Sequence, residues 1–190
     1  MSARERGGRW GVVSQSLHWL IVVLVLAMAT LGLVMVDLPN TPSTARLYAL
    51  HKSIGLTILA LMLLRLAWRL HAGAPRALAG IPAWQRRLAT ATHAALYGLL
   101  FAMPLTGWLI NSSSGFPLRW FGLFRVPQWG ARDDVLNAWA KGTHELLFWT
   151  LVALALVHAA AAIWHHVFRG DATLARMLPR GWLEEGSDDA

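Results

Sequence analysis

Three stretches of this chain run on without Asp, Glu, Lys or Arg for about as long as a helix needs to cross a bilayer. Leu17 to Val36 covers 20 such residues, Leu146 to Phe168 covers 23, and the segment between Arg87 and Arg119 covers 31. A hydrocarbon core about 30 Å thick takes about 20 helical residues. Inside it the backbone must satisfy its own hydrogen bonds, so an apolar run of this length becomes a helix. A fourth run, Leu50 to Leu70, is broken only by Lys52, Arg65 and Arg69. The pattern predicts spans at about 15–36, 50–70, 88–111 and 143–168, with Pro104 kinking the third. Arg65 and Arg69 lie one turn apart near the end of the second, placed to snorkel or to meet an anion. The expected fold class is all-α, an integral membrane four-helix bundle. Residues 1–182 form one transmembrane domain and residues 183–190 a disordered acidic tail.

Charge orients the bundle and excludes several functions. The net charge is +7, but the basic residues flank the apolar runs and do not gather on one polar face. That is the signature of membrane orientation, not of nucleic-acid binding. Eleven Lys and Arg fall at the N-terminus, in the 65–87 region and at the C-terminus, against six in the other two connections. The positive-inside rule then puts both termini in the cytoplasm. Arg4, Arg6 and Arg9 resemble a signal peptide's basic region, but the following run is too long and lacks a small-residue cleavage site, so it reads as an uncleaved anchor. Trp10, Trp19, Trp68, Trp84 and Trp164 fall near the expected interfaces, where amphipathic rings settle. Cysteine is absent, which removes disulfides, iron–sulfur clusters, thiol catalysis and thiolate zinc. Any metal rests on nitrogen or oxygen.

Eight histidines are present, and their depth is informative because an ionisable group inside a span is costly. His144 and His158 lie 14 residues apart on the fourth span, a rise of about 21 Å at about 1.5 Å per residue. At about 100° per residue they share one face. His18 begins the first span on the cytoplasmic side and His51 the second on the periplasmic side, so His18 matches His158 in depth and His51 matches His144. Two imidazoles from facing helices suit the axial positions of haem iron, and two levels imply two haems. The same 14-residue step leads from His18 to Gly32, where a missing side chain leaves room for the second macrocycle. From His51 it leads to Arg65, a cation at the level of a propionate. The competing use, zinc or a di-metal site, finds no carboxylate in the spans but Glu145 and no His-x-x-x-His spacing. His93 is read as an interfacial polar residue with no partner on the same step. His165, one heptad beyond His158, ends the fourth span with His166 near the headgroups, and His71 sits in a basic loop.

These residues together resemble a known family. Leu17-His18-Trp19, His51-Lys52 with Gly55, Arg65 with Arg69, Pro104-Leu105-Thr106-Gly107 and Thr143-His144-Glu145 occur in order, followed by His158-Ala159-Ala160, His165-His166 and Met177-Leu178-Pro179-Arg180. From about Val13 to Arg180 the chain resembles the bacterial cytochrome b561 family. The resemblance implies a bacterial inner membrane, two b haems as cofactors, and His18, His51, His144 and His158 as iron ligands. It also implies, for some members, a superoxide oxidase that oxidises periplasmic superoxide and reduces ubiquinone. An electron-relay haem subunit of a dehydrogenase or hydrogenase complex, with a redox protein partner, is the alternative. A haem carrier or sensor is disfavoured, because two bis-histidine sites leave no open position. On the enzyme reading, Lys52 and Lys141 lie beside the periplasmic ligands and steer an anion or contact a quinone, and the 111–142 loop folds over the haem edge. Arg46, Arg119, Arg125 and Arg132 add charge there and are read mainly as solvated.

Overall fold

The computed structural model describes residues 8–76, 78 and 80–183. Arg4, Arg6 and most of the expected acidic tail lie outside those residues. Four helices, α1 (Val12–Met35), α2 (Pro42–Ala72), α3 (Ala83–Ser113) and α4 (Asp134–Phe168), are all long and apolar enough to cross a membrane. A two-stranded antiparallel hairpin, β1 (Leu118–Trp120) with β2 (Phe124–Val126), interrupts the connection between α3 and α4. A 3-10 turn follows at Ala175–Met177.

α2 and α4 begin before the lipid-length estimates because capping, not hydrophobicity, sets their first turns. Thr41 Oγ1 accepts the Thr44 amide at 3.3 Å, and Pro42, which has no amide hydrogen to satisfy, opens α2. Asp133 Oδ1 accepts the Leu136 amide at 2.9 Å, so α4 begins nine residues before the expected 143. Pro104 sits within α3 without ending it; it removes one ladder donor.

The chain divides into two compact units. The terminal unit takes the described residues within Met1–Trp19, Leu64–Leu96 and Val152–Ala190; the hairpin unit takes Leu20–Leu63 and Tyr97–Leu151. In the hairpin unit Ile21, Ile58 and Met62 form a buried cluster, packed by Leu24, Met28, Tyr97 and Phe101. The β-hairpin is tied to α2: the Phe121 amide donates to Ser53 Oγ at 3.0 Å and Trp120 Nε1 donates to Thr57 Oγ1 at 3.1 Å. Its turn puts Phe121 at φ 44° and Gly122 at φ 76°, and the glycine takes the second left-handed position without strain.

In the terminal unit the segment after α4 is bound to the start of α1. Arg9 Nη2 donates to Ala175 O and Leu178 O, both at 2.7 Å. Gln15 Nε2 donates to Arg176 O and Leu178 O, and Trp19 Nε1 to Met177 O. The Arg69 guanidinium lies 4.4 Å from the centre of the Trp10 ring, a cation–π contact.

Candidate functional site

In the hairpin unit, α2 carries His51 and α4 carries His144, and their ring centroids lie 6.4 Å apart with planes at 66°. In the terminal unit, α1 carries His18 and α4 carries His158, with centroids 6.5 Å apart and planes at 82°. Both expected pairs come together. One metal atom bonded to two imidazole nitrogens at about 2 Å on opposite sides puts the ring centroids about 6.3 Å apart. Rotation of either ring about its metal–nitrogen bond leaves that distance unchanged, so the steep interplanar angles are compatible with it.

His93, on α3, stands 5.2 Å from His158 by ring centroids. That is shorter than the separation within either expected pair, and His93 is a neighbour of His158. Arg65, half-buried on α2, reaches Ser14 O with Nη1 at 3.4 Å. It is close enough to act electrostatically on His18, His93 and His158, the level at which the 14-residue step placed it. His165 is not part of this group: its Nδ1 bonds Asp171 Oδ2 at 2.5 Å. Burial alone raises the Asp171 carboxyl, but hydrogen bonds from Thr173 and His165 outweigh it and hold the group below its ordinary value.

The hairpin unit's rings are seated on glycines. A Cβ at Gly32 would stand 3.4 Å from His51 Cε1 and 3.9 Å from Nδ1, and a Cβ at Gly107 would stand at the same two distances from His144. Gly32, expected to leave room for the second macrocycle, stands in the structure against an imidazole of the second pair, where a Cβ would just reach van der Waals contact. Lys52 is half-buried, and its Nζ donates to the buried Asn111 Oδ1 at 2.8 Å, while Asn111 Nδ2 donates to Phe116 O. Lys141 is exposed. Among the outlying arginines, Arg132 pairs with Asp134 at 3.0 Å on the surface.

Three residues at this site had no role in the sequence reading. Gly107 lies 14 residues after His93, the same step that found Gly32, so that step applied to the third span reaches it. Thr106, whose Oγ1 lies 2.9 Å from His144 Nδ1, was visible only as part of a motif. Asn111 is the first polar residue after the apolar stretch of α3, which marks the helix end but not its partner.

Comparison with known proteins places the chain in a family. The profile for prokaryotic cytochrome b561 matches residues 9–180. The chain is 36% identical over 187 residues to cytochrome b561 homolog 2 of Escherichia coli, covering 98% of this chain and all of that protein. It is 30% identical over 167 residues to cytochrome b561 homolog 1 of the same organism, covering 86% and 93%. To the "Probable superoxide oxidase CybB" of Yersinia pestis it is 27% identical over 172 residues, covering 90% and 97%. With four membrane-length helices and a profile match over nearly its whole length, the chain belongs to the prokaryotic cytochrome b561 family, membrane helical bundles that bind haem b and transfer electrons.

Proposed function

We propose that this chain is a single di-haem domain of the bacterial inner membrane, termini in the cytoplasm, that oxidises periplasmic superoxide and reduces ubiquinone. His18 with His158 and His51 with His144 would each hold one haem b. The observation that carries the reading is that both pairs stand within about 0.2 Å of the separation that one metal atom requires. His51 Nδ1, a buried nitrogen without a hydrogen-bond partner, and the two glycine seats also suit a fixed imidazole. When bound, haem supplies one-electron transfer between the two faces. Arg65 would neutralise a propionate in the terminal unit. Two superoxide ions give up two electrons and leave as dioxygen; one ubiquinone takes both electrons with two protons. The protein's part at the periplasmic end is to attract the anion. Lys52, fixed by Asn111, and the exposed Lys141 would concentrate it. The superoxide reading draws on the name of the Yersinia pestis relative as well as on this charge.

The test is purified protein given superoxide and a soluble ubiquinone. Two haems per chain and quinone reduction, slowed severalfold by raised salt and by Lys141→Gln, are expected. Two haems with no superoxide-driven reduction would leave the electron-relay subunit as the function. A rate indifferent to both salt and substitution would remove the steering role.

A further inference from the structure

The two rings of the hairpin unit's pair have matching glycine seats, but their Nδ1 atoms differ in hydrogen bonding. Thr106 Oγ1 lies 2.8 Å from Met103 O. A carbonyl only accepts, so the one hydroxyl hydrogen is committed there. The 2.9 Å contact between Thr106 Oγ1 and His144 Nδ1 then runs the other way, with Nδ1–H donating to the hydroxyl oxygen, and the Met103 carbonyl, which also bonds this ring, favours the hydrogen on the same nitrogen. This places the hydrogen of the neutral ring on Nδ1 and the lone pair on Nε2. Across the pair, His51 Nδ1 is buried with no partner.

We infer that Thr106 is a positioning residue for His144, holding the ring in the tautomer that presents Nε2 and, by accepting Nδ1–H, making that nitrogen a stronger donor. The inference rests on the reading of His51 and His144 as ligands of one haem. Electron density pushed toward a metal favours its more oxidised state. Loss of the hydrogen bond therefore lowers the ferric-to-ferrous ratio at a fixed potential severalfold. At about 59 mV per tenfold for one electron, that is an upward shift of tens of millivolts.

The experiment is a redox titration of the purified protein, followed optically and with haem content measured, for Thr106→Val, Thr106→Ala and Thr106→Ser. Valine and alanine should raise the midpoint of one haem and leave the other unmoved, and serine should restore it. Loss of one haem in valine and alanine but not in serine also supports the hydroxyl's role. Both midpoints unmoved in valine and alanine, or serine behaving like valine, overturns the inference. The underlying ligand reading fails separately: His51→Ala and His144→Ala would then each keep two haems.

Discussion

In the hairpin unit, His51 and His144 are placed by shape, each ring against a glycine of a neighbouring helix, and one of them by a threonine hydroxyl. In the terminal unit, His18 and His158 sit among a third histidine and the electrostatic influence of Arg65, with Arg69 acting on His93. The same ring separation is thus reached in two ways. A site held by steric seats tolerates little change in side-chain volume. A site beside a fixed charge should respond to substitutions that alter that charge.

The comparison breaks first on the ligands. His158→Ala should cost one haem of two and leave the hairpin unit's haem in place, read as haem per protein, whereas His93→Ala should keep both. Loss of haem in the His93 variant would make the terminal unit's pairing wrong. Next comes volume. Gly32→Val puts carbon into a space where even a Cβ stands 3.4 Å from the His51 ring, so it should displace that ring and lower occupancy of the hairpin unit's haem severalfold, with the other haem untouched. Equal loss at both sites would mean that the valine disturbs the whole bundle and that the seat is not specific.

The smallest effect expected is on acid stability. Asp171 is held below its ordinary value of 3.8, so its contribution is fully present above that pH and is lost as pH falls through the lower folded value. Asp171→Asn should therefore lower thermal stability at neutral pH and flatten its decline in acid. The pair is partly exposed, and the change should be about 1 kcal/mol or less. Identical acid profiles for the two proteins would assign the contact no stabilising role.

The spans and the histidine pairs were legible because both follow from one-dimensional regularities: charge-free length for the spans, and the 14-residue step for the ligands. Helix ends were legible in part, since Thr41 before Pro42 and the Asp133-Asp134 pair are recognisable N-terminal signals. Weighing them would have lengthened α2 and α4 beyond the lipid estimate. The hairpin at 118–126 was not read, because its strands are three residues each and its turn uses Phe121, a residue rarely found with positive φ. The Lys52–Asn111 bond joins α2 to α3 across 59 residues, and nothing in a periodicity reports such a contact. Thr106 was unreadable for the same reason, since the worth of its hydroxyl depends on where α4 puts His144.

The bonds from Arg9 to the carbonyls of Ala175 and Leu178 set a timetable for biosynthesis. Arg9 is mostly buried, and the residues joined by the first of these bonds are 166 positions apart. At about 5–20 residues per second, about ten to thirty seconds of translation separate donor from acceptor. All four helices are made in that interval, and for its whole length the Arg9 guanidinium lacks these two acceptors.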